Sequence, residues 1–281
     1  MQYLRLLSAA LIIVLLATSG VSAQYALEIK LESRQEKDPP EHILLYAQVG
    51  NNLKKLQTLP YPPGSSFTYK TLTHQGLYWI GTTPAALYPV VIGKDKRVSG
   101  TMHFDDGIHD FQFESDDQEA YKRYDKLRED FESNYQKMTQ EYQLKIRQMK
   151  TQEEREAYQQ EVIAQTDEAA NQFNKDLQQL RKDFPEAYVG KYLVPIARTH
   201  VPNRDKDPGE QMQERKVMFF RGMDFSDPNI MYNPYLHLKL FQYFNEFRRP
   251  SMGGFDGAID DLMHQPGLDP KLKSFMVNYF I

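Results

Sequence analysis

The densest group of potential metal ligands lies in one short segment, His103 to Asp110, which holds two histidines and three aspartates. Imidazole and carboxylate groups are common ligands of zinc, so this segment is the first candidate for a metal site. Within it, however, Asp106-Gly107 suits a two-residue type I′ turn between two strands. Because successive strand residues point to opposite faces, that turn would put His103 and His109 on opposite faces of the hairpin. We therefore expect no metal here, only turn residues and a half-buried histidine.

The length of that turn decides whether His103 and His109 lie on the same face of the hairpin. A two-residue turn aligns Phe104 with His109 and Met102 with Phe111, which keeps the apolar residues on one face. A three-residue turn would set the two histidines opposite each other. It would also pair Phe111 with Thr101 and spoil the apolar face, so the shorter turn is favoured.

No catalytic motif stands out elsewhere. Three more histidines, His200, His237 and His264, are scattered without an HExxH pair, and no serine stands in a Gly-x-Ser-x-Gly elbow. Gly253-Gly254 is too isolated to form a phosphate loop. Carboxylates such as Asp125 alternate with lysine and arginine, the pattern of a solvated, ion-paired helix face. We expect no catalytic residue, no cofactor and no enzyme activity.

Aromatic residues offer a subtler possibility, because rings can stack on sugars and peptides. Six of them cluster in one short stretch, and their spacing also fits the packed core of a helix, which we favour. The adjacent Arg248-Arg249 suits a helix C-terminus as well as an anion site. The cluster consists of Tyr232, Tyr235, Phe241, Tyr243, Phe244 and Phe247.

The N-terminus predicts export. Arg5, an apolar run from Leu6 to Ala17 and the small residues before Gln24 form the three parts of a signal peptide, residues 1–23, cleaved near Ala23. The apolar run is shorter than the about 20 residues that a membrane helix needs, although an uncleaved anchor is the alternative. We expect a periplasmic or otherwise exported protein that is soluble after cleavage and has no transmembrane segment.

Composition narrows the function classes further. The chain of 281 residues has no cysteine, which excludes disulfides, thiol nucleophiles and thiolate metal sites. Its formal charge of −4 becomes −5 without Arg5, and this mild acidity argues against a nucleic-acid partner.

Residues 24–114 predict a β-sandwich-like domain with antiparallel strands. Short β-rich runs alternate with Gly and Pro at the spacing typical of sandwiches and partly closed barrels. The predicted strands contain Leu27 to Leu31, Ile43 to Val49, Phe67 to Tyr69, Leu77 to Ile80, Tyr88 to Ile92, Val98 to Phe104 and Ile108 to Phe113.

Residues 115–185 predict a long helical hairpin. Two apolar series, Tyr124 to Met149 and Tyr158 to Phe184, each repeat in steps of three and four, close to the period of a straight helix. The two series differ in phase, and Thr151 and Glu154 are spaced as a capping box at the break. Two antiparallel helices joined near Thr151 are favoured over one helix of about 65 residues.

Residues 186–281 predict a compact C-terminal helical region with a solvated loop from His200 to Gln213. Its apolar end at Ile281 is expected to pack against something rather than stop in water. The predicted helices are Ala187 to Arg198, Glu214 to Arg221, Leu236 to Arg248, Asp256 to His264 and Pro270 to Ile281.

Several stretches resemble the β-domain of unknown function and helical accessory region that precede the thioredoxin domain in exported proteins of the alkyl hydroperoxide reductase/thiol-specific antioxidant type. Those proteins come from anaerobic Gram-negative bacteria. One departure is Gln118, where Asn is commoner in that family. The matching stretches are Gly64 to Tyr69, Gly76 to Gly81, Glu114 to Tyr124, Phe184 to Tyr188, Met223 to Pro228, Asn233-Pro234 and Lys239 to Phe244.

The strand and helix patterns of the three regions predict an α+β protein. The redox activity of the family is not expected for this chain, because no cysteine is present for dithiol exchange. We expect a non-enzymatic binding or accessory module with a protein partner in the cell envelope, associated with thiol-disulfide or nutrient-acquisition machinery. One alternative is the front part of a thioredoxin-family oxidoreductase whose redox domain is missing or separately encoded. Another is a glycan or peptide binder that uses the aromatic stretch from Tyr232 to Phe247.

Overall fold

The computed structural model describes residues 25–33, 41–60, 66–72, 74–95, 97–105, 108–113, 115–249 and 253–280. Within them the chain is α+β, with two four-stranded sheets followed by helices from Asp116 onward. The predicted fold class is confirmed. The signal peptide predicted at residues 1–23 lies outside the described residues.

In the described residues, eight strands form the two sheets. The first sheet has the order β4-β1-β7-β8 and the second the order β3-β2-β5-β6. Leu27 and Met102 of the first sheet pack in the same apolar core as Ile43 and Tyr78 of the second, as a sandwich-like arrangement requires. The strands are β1 (Tyr25–Ser33), β2 (His42–Val49), β3 (Asn52–Pro60), β4 (Ser66–Leu72), β5 (Gly76–Thr83), β6 (Ala86–Ile92), β7 (Arg97–Asp105) and β8 (Ile108–Phe113).

One strand pair departs from the antiparallel expectation. β1 and β7 run parallel, with partners from Ala26 and Arg97 to Ser33 and Phe104. Parallel neighbours need a long connection. Here the whole second sheet and β4 lie between them in the chain, so the connection is long enough.

β3 is an unpredicted strand. Its residues are exposed except for partly buried Leu56 and buried Leu59, so the run lacks the alternation that marks a half-buried strand. It pairs with β2 at the edge of the second sheet, where the ladder supplies the stability that an apolar face would otherwise give.

The β7–β8 hairpin has the predicted register. Phe104 pairs with His109 and Met102 with Phe111, while His103 pairs with Asp110. The two histidines are therefore not cross-strand partners. The turn residues 106–107 lie outside the part of the chain that the structure describes.

The predicted helical hairpin consists of α1 (Asp116–Ile146) and α2 (Gln152–Asp183). The predicted capping box is present at the start of α2. Thr151 Oγ1 accepts a hydrogen bond from the Glu154 amide at 3.2 Å, and Glu154 Oε2 accepts one from the Thr151 amide at 3.1 Å. Two helices joined near Thr151, rather than one long helix, are thus confirmed.

The two helices run antiparallel and pack through aromatic rings. We call the end of the helical hairpin where α1 begins and α2 ends its base. There Arg123 of α1 donates to Asp183 of α2 at 2.7 Å. Further along, the Phe131 and Phe173 rings stack with centroids 4.3 Å apart. Beyond Phe131 most α1 side chains are exposed, so the base carries most of the burial.

The C-terminal region begins with a π-helical turn, Val189–Leu193, that continues into α3. α4 begins before the predicted Glu214 because Asp207 caps it, accepting from the Gly209 amide at 2.8 Å. That helix shortens the predicted loop from His200 to Gln213. The remaining elements are α3 (Val194–Ala197), α4 (Pro208–Met218), a 3₁₀ turn (Pro228–Tyr232), α5 (Leu236–Phe247), α6 (Gly254–Met263) and α7 (Pro270–Phe280).

A second apolar core joins the hairpin base to these helices. Tyr124 of α1, Leu177 of α2 and Leu240 of α5 are buried in it, together with Leu77 of the second sheet. Met276 of α7 is also fully buried there. The apolar C-terminal helix therefore packs against the chain's own core.

Three buried polar residues form hydrogen bonds that link the second sheet, the start of α1 and the C-terminal helical region. The Gln118 side chain accepts from the Val91 amide at 3.0 Å and donates to the Pro89 carbonyl at 3.1 Å, as a neighbouring strand would on the edge of β6. Asp117 Oδ1 accepts from the Tyr188 amide at 2.6 Å.

The third of these residues is Asn233, which is fully buried. Its amide donates to the Tyr192 carbonyl at 2.7 Å and its oxygen accepts from the Tyr235 amide at 2.7 Å. We call Asp117, Gln118 and Asn233 the junction residues.

Candidate functional site

The histidines noted in the sequence are not brought together. His264 caps the end of α6 through the Asp260 carbonyl, 2.8 Å from Nδ1. His237 of α5 makes an edge contact with Tyr279, with ring centroids 6.3 Å apart. His200 lies in the segment after α3. The side chains of His103 and His109 fall outside the described side chains.

No group of three or more histidine, aspartate or glutamate side chains in the described ranges is placed to hold a metal ion. In the same part of the chain, every helix is too short or too polar to cross a membrane.

The aromatic stretch divides into core and surface. Tyr243, Phe244 and Phe247 are buried in the second core, as their helical spacing predicts. Phe241 is exposed on the other side of α5. Tyr235 is half-buried and lines a cavity.

That cavity is a cleft of about 520 Å³ between the hairpin base and the C-terminal helices. Its walls come from α1, α2, residues 196–200, α4 and α5. Small-molecule sites usually fall between roughly 300 and 1,000 Å³, so the cleft is large enough for an organic ligand. We call it the interhelical cleft.

Aromatic rings form the apolar part of the interhelical cleft. Phe131 and Phe173 stack on the hairpin side, and Phe219 and Tyr235 face it from the C-terminal side. Such rings offer stacking surfaces to a planar or apolar ligand.

Four cations and two carboxylates stand among the described residues lining the interhelical cleft, and two of the cations are paired. Arg128 donates to Glu132 at 2.8 Å and to Asp125 at 3.0 Å, and it lies over the Tyr235 ring. Arg215 donates to Glu246. These two pairs use both lining carboxylates.

The other two cations, Lys239 and Arg198, have no carboxylate partner within the described ranges. Lys239 Nζ donates to the Arg198 carbonyl at 3.1 Å and lies 4.5 Å from the Phe219 ring centroid. Burial, with the nearby charge of Arg215, lowers the pKa of Lys239 to about 8. A partly buried ammonium without a carboxylate partner favours an anion beside it.

Two more polar atoms around the interhelical cleft lack partners in the described structure. His200 Nε2 and Arg128 Nε are buried without a hydrogen-bond partner. Burial also lowers the pKa of His200. Buried polar atoms are nearly always satisfied in folded proteins, so unpartnered ones around a cavity indicate a site for a ligand or ordered water.

A smaller cavity of about 150 Å³ adjoins the interhelical cleft. Arg198, His200 and Phe219 line both cavities, and Arg221 adds another cation to the smaller one. The positive side of the cleft therefore continues past the segment that follows α3.

Chemically, this arrangement can hold a ligand through charge, hydrogen bonds and ring stacking. It offers cations, unpartnered polar atoms and aromatic walls. The lining carboxylates Glu132 and Glu246 are engaged with arginines and are not free to act as bases.

Sequence reasoning missed this site, although one signal was present. In α5 the apolar face recurs at Leu236, Leu240, Tyr243 and Phe247, and Lys239 falls beside it at a position where an apolar residue would fit. A lone lysine on an apolar face is a signal of a buried charge. Its companions come from α1, α4 and the segment after α3, which only the fold brings together.

Comparison with known proteins adds no relative: no family model, no curated protein and no solved structure matches the chain.

Proposed function

We propose that this protein is a non-enzymatic binding module of the cell envelope and that its ligand occupies the interhelical cleft. The observation that carries the proposal is a set of cations without a carboxylate partner, Lys239 above all, together with unpartnered polar atoms in a cavity of ligand size. The signal-peptide pattern before Gln24 supports the location, since it predicts export.

An accessory role beside thiol-disulfide or nutrient-acquisition machinery is the second part of the proposal. It is supported by the resemblance of stretches such as Gly76 to Gly81 to regions that accompany thioredoxin domains. Crosslinking in the periplasm followed by mass spectrometry tests it. A recurrent partner from either machinery is the expected result, and a chain recovered only as an uncrosslinked monomer would contradict this part.

Ligand binding in the interhelical cleft is tested by blocking it. Gln242 is exposed and lines the cleft, so Gln242→Trp fills the space from a position that tolerates a large side chain. Asn245→Trp adds the same ring at an exposed site on the same helix outside the cleft. Both variants are expected to fold.

The measurement is a thermal-shift screen of the three proteins against a panel of small organic molecules. We expect compounds that raise the melting temperature of the wild type and of Asn245→Trp but leave Gln242→Trp unchanged. The cleft would lose its proposed role if every stabilising compound acted equally on all three proteins.

A further inference from the structure

We infer that the ligand of the interhelical cleft is an organic anion, a carboxylate head on an aromatic or otherwise apolar body. This inference deepens the proposed function and rests on it. It is drawn from the charge balance of the lining residues and from the placement of aromatic rings beside the unpaired cations.

The charge balance favours a negative head group. Once Arg128 pairs with Glu132 and Arg215 with Glu246, the ammonium of Lys239 and the guanidinium of Arg198 remain without a carboxylate in the described part of the chain. A guanidinium presents a planar fork that matches a carboxylate, and an ammonium adds a point charge beside it. A neutral ligand would leave both cations without an ion-pair partner.

The surroundings of Lys239 strengthen its role. Its Nζ has one hydrogen bond, to a carbonyl, and so keeps further donors available. The Phe219 ring covers it from one side, which excludes water and strengthens any ion pair formed there. The charged and titratable groups that face it are Arg198, His200, Arg215 and Glu246, with Arg128 and Glu132 across the cleft.

The aromatic rings account for the rest of the ligand. Phe131 and Phe173 lie across the cavity from Lys239, and Tyr235 lies one helical turn before Lys239 on its own side. A head group at Lys239 would place an attached ring or apolar body among them. Inorganic phosphate would satisfy the cations but leave this apolar wall uncovered.

Matched probes test the ligand class. Naphthalene-2-carboxylate and naphthalene-2-carboxamide share shape and apolar body and differ in charge. At pH 7 we expect isothermal titration to show the carboxylate binding at least about tenfold more tightly, a difference of about 1.4 kcal/mol. Inorganic phosphate is expected to bind more weakly than the carboxylate.

Variants then locate the head group. Lys239→Met should weaken the carboxylate at least about tenfold and leave the carboxamide within about threefold, while Lys239→Arg should retain the preference. Lys273→Met is the matched control, because Lys273 is an exposed lysine of α7 outside the cleft lining. Near-ultraviolet circular dichroism verifies that each variant is folded.

The outcomes separate this inference from the proposed function. Equal binding of both probes, blocked by Gln242→Trp, would overturn the anion class and keep the cleft as a binding site. Phosphate that binds as tightly as the carboxylate would overturn the apolar body. Probe binding that survives Gln242→Trp would overturn the location, and no binding of either probe would overturn this ligand class while the compound screen still decides the site.

Discussion

The junction residues and the cleft cations are both polar groups that folding takes out of water. Asp117, Gln118 and Asn233 each hydrogen-bond to backbone groups of another element. Lys239 and Arg198 have no carboxylate partner in the described structure, and the nearby His200 Nε2 has no partner at all. Satisfied polar groups hold a fold together, whereas unsatisfied ones around a cavity mark the place for a ligand.

Substitutions of the junction residues and of Lys239 should therefore have opposite effects on stability. Removing a junction side chain leaves buried backbone groups without partners and should destabilise the protein. Removing the Lys239 amine relieves a partly buried charge and should not destabilise the protein. Measuring the free energy of unfolding therefore distinguishes the two sets.

The largest effect is expected at Asn233. Asn233→Ala leaves the Tyr192 carbonyl and the Tyr235 amide without their partners, which should lower the free energy of unfolding by about 3 kcal/mol. Urea denaturation measures it. Asn245→Ala, at an exposed site on α5, should change it by less than about 0.5 kcal/mol. Equal effects of the two substitutions would contradict a structural role for Asn233.

Gln118 should give the next largest effect. Gln118→Leu keeps the volume but strips the Val91 amide and the Pro89 carbonyl of their partners at the edge of β6, at a cost of about 2 kcal/mol. Gln143→Leu makes the same change at an exposed position of α1 and serves as the control. Hydrogen exchange should show the β6 amides losing protection first in Gln118→Leu. Unchanged protection of the Val91 amide would argue against a stabilising role of the Gln118 hydrogen bonds to β6.

A close contact beside Asp117 is a third test. A Cβ built on Gly93 would lie 1.9 Å from the Asp117 carboxyl group, so Gly93→Ala must push that side chain away. We expect a loss of about 1–3 kcal/mol, the usual cost of overpacking. A double variant with Asp117→Ala removes the clash, so its loss should be smaller than the sum of the two single losses. Simple additivity would show that the two residues do not interact.

The smallest effect, with the opposite sign, is expected at Lys239. Its pKa is lowered to about 8 in the folded chain from its ordinary 10.5, so the unfolded chain binds more protons between those values. Stability should therefore rise as pH increases from about 8 to 10.5. Lys239→Met should lack this rise and be more stable than the wild type at pH 7 by on the order of 1 kcal/mol. A variant that is less stable than the wild type at pH 7 would contradict an unpaired charge.

These two regions also differ in how far the sequence predicts them. The strands, the hairpin and the capping box at Thr151 follow from local patterns of apolar spacing and turn residues. Gln118 and Asn233 carry no such signal, because their partners are backbone groups far along the chain. The parallel pairing of β1 and β7 is likewise set by the whole fold rather than by either strand.

The site was less predictable than the fold. Local spacing correctly assigns Tyr243, Phe244 and Phe247 to the core, and it shows Lys239 as a polar residue beside an apolar face. It does not show that Arg198 approaches Lys239 or that Arg128 and Arg215 use the nearby carboxylates. Charge balance in a cavity depends on distances between helices, which a periodic pattern does not encode.

Proton uptake on binding tests the central claim most directly. At pH 8.5, above the lowered pKa of about 8, part of the Lys239 amine is neutral in the free protein, and a bound anion should restore its proton. Isothermal titration of naphthalene-2-carboxylate in two zwitterionic buffers of different ionisation enthalpy measures this uptake. We predict a net uptake for the wild type that disappears in Lys239→Arg. Binding without proton uptake, or equal uptake in both proteins, would contradict an anion site built on Lys239.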